Sequence, residues 1–448
     1  MSSNRRDFLR KAAAGVTGIT LAGSTMGMSA KSYSRIIGAN DRLRVAYMGC
    51  GRRVGAYYTA VKDKKNNVDL EYICDVMKSQ RERVAKDLKG KVSGKAALVS
   101  DIREVFADKN VDVIFNATPD HWHAPGTWMA MEAGKHVYIE KPCSHSPREG
   151  ELLVAFTKKY GKVVQMGNQQ RSAADSIEII KEIHNGAIGE VYRAVAFYTN
   201  RRGEVPVPKK APVPTGLDWD LWQGPAPHED YRHDTWDYNW HWYGWNWGTA
   251  ETGNNATHEL DIARWALQVD YPERVDVQAD KRHFLNDGWE MYDTMDASFR
   301  FPGNKIIVWD GKSRNGYSTY GSGRGTIIYG SEGSVYVDRG GYKLFDRNGK
   351  LVRDSKTASN EAGTALGGGG DMTDAHILNF FDNIRGKSSQ LNSPIDMGAK
   401  SQMLTHYANI SYRIGKSFDV DTENGRIYDR DAMKLWDREY QPGWEPKL

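Results

Sequence analysis

Leu43-Arg44-Val45-Ala46-Tyr47-Met48 runs into Gly49-Cys50-Gly51-Arg52-Arg53-Val54-Gly55, and this stretch decides the fold. The first six residues read as a strand that stops at a glycine loop. A helix is expected from the loop through Ala56 to about Val61. Gly49 permits the tight turn, Gly51 lets the backbone approach a pyrophosphate, and Gly55 lets the helix pack close on the strand. Free N–H groups and the positive dipole end at the helix N-terminus then face the phosphates. The third glycine falls one place later than in the G-x-G-x-x-G form, so the loop needs its context.

That context follows in order. A second strand, Leu70-Glu71-Tyr72-Ile73-Cys74, ends at Asp75, where a ribose-binding carboxylate belongs. A carboxylate there accepts hydrogen bonds from both ribose hydroxyls and repels a 2′-phosphate, which favours NAD. Arg52, Arg53 and Lys78 lie close enough in sequence to leave NADP open. Val113–Thr118 is an apolar run ending in Pro119-Asp120-His121-Trp122-His123, and His136–Ile139 is a short strand ending in Glu140-Lys141-Pro142. A helix between them, about 124–133, closes at Gly134. Strands alternating with helices predict an α/β fold with a doubly wound parallel sheet. Ligands bind at the carboxyl ends of such strands. Asp75, Thr118, Pro119, His123, Glu140 and Lys141 all fall at such ends and join the glycine loop as candidate cofactor ligands. Val163–Met166 is the last strand, which places the Rossmann domain at residues 41–166.

The chain of 448 residues has room for two large domains. Its hydrophobic content of 40% and charged content of 26% are those of a globular protein with a sizeable core. The net charge is +4, and most of it sits in the first eleven residues. The balanced remainder gives no electrostatic case for nucleic acid. Three cysteines, Cys50, Cys74 and Cys143, form neither a disulfide framework nor a zinc pattern. His121 and His123 lack a third ligand at metal-binding spacing, so no metal is expected.

Residues 1–30 read as an export signal. Arg5-Arg6-Asp7-Phe8-Leu9 precedes a weakly apolar stretch with small residues near Ser29-Ala30. The paired arginines resemble a twin-arginine signal, which implies a periplasmic protein that folds around its cofactor before export. No other segment is apolar enough to span a membrane.

The glycine loop, Thr118-Pro119-x-x-x-His123, Glu140-Lys141-Pro142 and Asn254-x-x-x-His258-x-x-Asp261 together resemble the Gfo/Idh/MocA oxidoreductase family, from about Leu43 to Ser417. The Glu-Lys-Pro motif is the specific part. The resemblance implies a C-terminal α/β domain, residues 167–448, built on a large, open, mostly antiparallel sheet that often forms an oligomer interface. It also implies that Lys141 lies beside the nicotinamide and the reacting hydroxyl, with Glu140 positioning it. His258 matches the family's catalytic histidine, and Asp261 at i, i+3 stands where it can orient the imidazole. The family often carries Asp where this chain has Asn254, which shifts more of the proton transfer onto Lys141 and His258.

Between Asp230 and Thr252 lie Tyr231, His233, Trp236, Tyr238, Trp240, His241, Trp242, Tyr243, Trp245 and Trp247. No single period explains them. Flat rings with polar edges suit carbohydrate C–H faces, so Trp240 and Tyr243 are expected against a sugar. Arg171, in Asn168-Gln169-Gln170-Arg171 after the last Rossmann strand, is either a substrate contact or a structural ion pair. Asn254 and His258 complete the candidate substrate site.

Strands are expected at Val191–Tyr198, Arg274–Ala279, Met295–Phe301, Lys305–Trp309, Thr326–Tyr329 and Ser334–Val337, with helices near Asp374–Asn383 and Met397–Ile414. Gly363–Gly370 reads as a flexible loop. The sequence therefore points to an NAD(P)-dependent oxidoreductase acting on a sugar, polyol or glycoside, with the cofactor tightly held. The alternative is a glycoside hydrolase that oxidises its sugar transiently. Both readings expect a homo-oligomer and a small-molecule carbohydrate substrate.

Overall fold

The computed structural model describes residues 41–355 and 371–448. The export-signal reading and the Gly363–Gly370 loop lie outside the described residues.

Six strands form the first sheet: β1 (Leu43–Met48), β2 (Val68–Cys74), β3 (Ala97–Val99), β4 (Val113–Asn116), β5 (His136–Ile139) and β6 (Val164–Met166). Their order is β3-β2-β1-β4-β5-β6 and all neighbours run parallel. Parallel strands covered on both faces are apolar throughout, and β4 and β6 are buried at every residue. The strand order reverses between β1 and β4. At that point the two chain directions diverge and leave a crevice outside the strand ends. The connection after β1 differs from expectation. It opens with a tight 3₁₀ turn, Val54–Tyr57, before one short helix, Tyr58–Lys62.

The second sheet has nine strands. These are β7 (Val191–Thr199), β8 (Arg274–Asp280), β9 (Thr294–Phe301), β10 (Lys305–Lys312), β11 (Arg324–Gly330), β12 (Gly333–Asp338), β13 (Gly341–Asp346), β14 (Leu351–Asp354) and β15 (Phe418–Asp419). The order is β14-β13-β12-β11-β7-β10-β9-β8-β15, antiparallel except for β7 against β10. One face, carrying Ala194, Ala196, Ile307, Trp309 and Ile328, packs into a core with the helices Thr257–Leu267 and Ile395–Ile414. The opposite face presents Val195, Ile306, Val308, Ile327 and Tyr329 by strand alternation.

After the second sheet the chain returns to the Rossmann sheet. Helix Asp371–Ile384 packs Ile377, Phe380 and Phe381 into the Rossmann core beside Tyr57, Phe115 and Tyr138. All three are fully buried, and each such side chain contributes roughly 1.5–3 kcal/mol. Ile395 and Ala399 join the other Rossmann core, against which Tyr440 and Trp444 of the tail also pack. Among the described residues, no helix is long and apolar enough to cross a membrane.

Candidate active site

The carboxyl ends of the Rossmann strands open into a cavity of about 410 Å³, closed on its far side by the second domain. Gly49 begins its floor with φ +87°, a conformation that only glycine adopts without strain. A Cβ there would also meet the Ala117 carbonyl oxygen at 2.6 Å. A Cβ on Gly51 would meet nothing within 4 Å, so the space over that backbone is open. Asp75 closes the adenosine end. Its Oδ2 accepts from the Cys50 N–H at 2.6 Å and its Oδ1 from the Met77 N–H at 2.7 Å. Burial raises its pKa. Asp101, after β3, lines the same end. Two carboxylates there disfavour a 2′-phosphate. A bare backbone cradle and a fixed ribose acceptor fit a dinucleotide of the NAD type.

Arg52 and Arg53 both line the cavity, but each is already committed. Arg52 pairs with Asp237 at 2.9 Å and lies over the Tyr238 ring, tying the glycine loop to the aromatic segment. Arg53 donates from Nε to Glu140 at 2.8 Å. Glu140 also accepts from the Tyr57 hydroxyl at 2.9 Å and from Gln169 at 3.1 Å. Burial opposes its charge, but Arg53 more than offsets that and holds the carboxyl below its ordinary range. Glu140 therefore acts on Lys141 by charge, not by a hydrogen bond. Thr118 and Pro119 line the cavity, with the Thr118 hydroxyl held by Asn116 at 2.7 Å. Gly55 lies within the 3₁₀ turn.

His123 Nδ1 contacts the Pro142 carbonyl at 2.6 Å, across the cis Lys141-Pro142 bond. Burial pushes this imidazole down to about 4, so it is neutral and donates from Nδ1. His123 thus anchors the segment that carries Lys141. Lys141 reaches into the cavity, and its Nζ donates to the Asn254 backbone oxygen at 2.5 Å and to its side-chain oxygen at 3.3 Å. Burial lowers its pKa to about 8, against the pull of Asp120 and Glu140.

Asp120 joins the site although no expected role fell on it. It opens the helix Asp120–Glu132 at the end of β4 and is 3% exposed. Its Oδ2 accepts from the Thr249 N–H at 3.1 Å and hydroxyl at 2.6 Å. Burial raises it to about 6, although Thr249 and Lys141 pull it down. Lys141 and Asp120 are thus two groups of opposite sign whose pKa values flank neutrality, a common property of acid–base sites.

Asn254 stands in a π-helical turn, Thr252–Ala256, just before the helix Thr257–Leu267. Such turns re-aim side chains and recur at functional sites. The Asn254 Nδ2 is buried without a partner. His258 lines the cavity one turn later and has no hydrogen-bond partner among the described residues. Burial, then Arg339, Lys141, Arg324 and Arg53, hold its pKa well below the ordinary histidine value. Desolvation and the cations around the ring keep this imidazole neutral.

On the substrate side two expectations change, for Asp261 and Tyr243, and the choice left open for Arg171 falls to the ion pair. Arg171 does not reach the cavity. It makes a two-pronged ion pair with Asp261, 2.7 and 2.9 Å, with both side chains buried. The same pair corrects Asp261, which turns to Arg171 and Ser401 and leaves His258 unoriented. Tyr243 is 1% exposed, and its hydroxyl donates to the Pro206 carbonyl at 2.9 Å; it is core. Trp240 does line the cavity, stacked 3.6 Å from the His241 ring, together with Trp236 and Tyr238. Of the other rings, Trp242 is core and stacks on Trp289 at 3.8 Å.

Two family models match the chain: the NAD-binding Rossmann fold of the Gfo/Idh/MocA oxidoreductases over residues 43–168, and the C-terminal α/β domain of that family over 196–445. The chain belongs to the Gfo/Idh/MocA oxidoreductase family.

Within that family the chain is 29% identical to a D-glucoside 3-dehydrogenase of Escherichia coli over 161 residues, 36% of this chain and 44% of that one. It is 22% identical to a glycosyl hydrolase family 109 protein of Shewanella baltica over 289 residues, 61% of this chain and 57% of that one. The chain thus spans about half the length of the curated relatives it matches. An oxidoreductase from Agrobacterium radiobacter, solved with NAD+, L-tartaric acid and magnesium, shares the fold with a TM-score of 0.62 at 18% identity. That likeness covers 84% of this chain and 98% of that one.

Beyond Asp120, the Gfo/Idh/MocA fold brings Arg324 and Arg339 to the cavity from the second sheet. Neither carries a local motif, and only the fold sets them beside His258.

Proposed function

We propose that this protein is an NAD-dependent oxidoreductase that moves a hydride between nicotinamide and a carbon of a sugar, polyol or glycoside. The carrying observation is Lys141. Its Nζ is held at the cavity by Asn254 and keeps a pKa of about 8, beside an Asp120 of about 6. The bound nicotinamide supplies the hydride acceptor. Neutral Lys141 takes the proton of the reacting hydroxyl, and Asp120 tunes that lysine by its charge. His258, held neutral, offers a ring nitrogen to the same hydroxyl rather than storing its proton. Asn254 has a free amide N–H group for a neighbouring hydroxyl, and Trp240 offers a ring edge and face for the sugar C–H surface. Incubating the NAD-loaded protein with a panel of sugars and glycosides tests this reading. A product lighter by two hydrogens supports it, and an unchanged panel opposes it.

A second reading is redox-assisted glycoside hydrolysis. Its support is the family 109 relative and an Asp120 that stays partly protonated near neutrality, as a leaving-group acid must. A product with water added and no net change in cofactor would favour it.

The paired Arg5-Arg6 supports export through a twin-arginine route to the periplasm with the cofactor held tightly. Free NAD is scarce outside the cytoplasm, so retention would be needed there. The apolar face with Ile306, Val308 and Ile327 supports a homo-oligomer built on the open sheet. Replacing both arginines by lysine tests the first, and light scattering of an Ile306→Asp variant tests the second.

A further inference from the structure

Three arginines meet at the substrate end of the cavity, beside His258. Two are matched by carboxylates. Arg53 pairs with Glu140 at 2.8 Å, and Arg324 grips Glu259 with two bonds of 2.7 and 3.1 Å. Arg339 is the third, at the turn that joins β12 to β13. Among the described residues it has neither a hydrogen bond nor an ion pair, yet it lines the cavity. Burial, with Arg324 next to it, pushes this guanidinium down to about 9.

Arg339 is half-buried at the cavity wall, and the carboxylates that act on it, Glu259 and Glu140, are already engaged by Arg324 and Arg53, so an anionic ligand would meet a cation that has no other partner to give up. The guanidinium fork matches the planar oxygens of a carboxylate or the face of a phosphate. Neutral hydroxyls offer it dipoles only.

We propose that the substrate carries an anionic group, a uronate carboxylate or a sugar phosphate, that docks on Arg339 while its ring hydroxyl faces Lys141 and His258. This rests on reading the cavity as a sugar-oxidising site. It makes Arg339 the residue that sets specificity, from a loop of the second domain, while the Rossmann side sets the reaction.

The test compares three probes on NAD-loaded protein: a methyl glucoside, the matching methyl glucuronide and glucose 6-phosphate. Both turnover and calorimetric binding are read. The expected result is a kcat/KM for one anionic probe at least about tenfold above that of the glucoside, the factor that about 1.4 kcal/mol supplies. Which anionic probe wins separates carboxylate from phosphate. In Arg339→Gln the ratio of anionic to neutral substrate collapses, and in Arg339→Lys, which keeps the charge, part of it returns. Circular dichroism and the thermal midpoint of the variants report that they are folded, and NAD affinity is read separately by tryptophan fluorescence.

Preference for the neutral glucoside in the native protein, unaltered in Arg339→Gln, would overturn the proposal and leave the oxidoreductase reading standing. Loss of NAD affinity in Arg339→Gln without a change in substrate ratio would also overturn it, by giving Arg339 to the cofactor. If no probe turns over but the anionic one binds through Arg339, the specificity inference stands and the redox reading fails.

Discussion

Lys141 Nζ donates to both oxygens of Asn254, the backbone carbonyl at 2.5 Å and the side-chain carbonyl at 3.3 Å. One residue from the Rossmann sheet and one from the second domain are thus joined at the cavity. The bond fixes the ammonium without a carboxylate partner, so the lysine is positioned yet free to lose its proton. Lys141→Met is expected to lower kcat by about 10²–10⁴, the usual contribution of a general acid or base, while NAD still binds. Stopped-flow rates and a binding titration check it. A loss under about tenfold would place the proton on another group.

The pH profile carries the sign of this arrangement. Burial holds Lys141 near 8, and Asp120 opposes that by favouring the charged form. Oxidation of the hydroxyl needs the neutral amine, so kcat/KM should rise with pH through about 8. Asp120→Asn removes the negative charge that supports the ammonium. The lysine pKa then falls, and the rising limb moves to lower pH. A limb that moves upward, or stays, would separate Asp120 from Lys141.

The two loop glycines separate folding from cofactor binding. Gly49→Ala meets a φ of +87° and a contact of 2.6 Å with the Ala117 oxygen. It should destabilise the protein by at least roughly 1–3 kcal/mol from the backbone conformation alone. Gly51→Ala meets no protein atom within 4 Å. Its thermal midpoint should stay near the native value while NAD affinity drops. Equal affinity in Gly51→Ala would show that no pyrophosphate approaches that backbone.

The buried Arg171–Asp261 pair is expected to act on stability. Truncating Arg171 to Ala leaves the buried Asp261 carboxylate with the Ser401 hydroxyl and the nearby charge of Arg264, and breaking such a buried pair typically costs up to about 3–5 kcal/mol. Chemical denaturation should show that loss, with KM for the sugar close to native in the folded fraction. A selective rise in KM would return Arg171 to the substrate site.

What the sequence disclosed follows from how local each signal is. The glycine loop, Asp75 and the Glu140-Lys141-Pro142 turn are short motifs at strand ends, so the Rossmann half and its cofactor end were legible. The strands of the second sheet showed through alternation, except β13 and β14, where Lys343, Asp346 and Arg353 interrupt the apolar pattern, and β15, which is two residues long. Asp120 was hidden because its burial, which raises its pKa, and its hydrogen bonds to Thr249, far along the chain, exist only in the fold. Arg339 was hidden because an unpaired arginine can be recognised only after every carboxylate around it has been placed. Arg171 and Asp261 illustrate the reverse case. Each sits beside a functional motif in sequence, and the fold spends each on the other.

Deuterium transfer tests the central claim most directly. A sugar that turns over, labelled at its carbinol carbons, is incubated once with NAD-loaded protein, and the nicotinamide is recovered for mass analysis. The account predicts one deuterium on the nicotinamide, with the label lost from a single sugar carbon, and no transfer in Lys141→Met. A sugar that is converted while the nicotinamide stays free of label would contradict it.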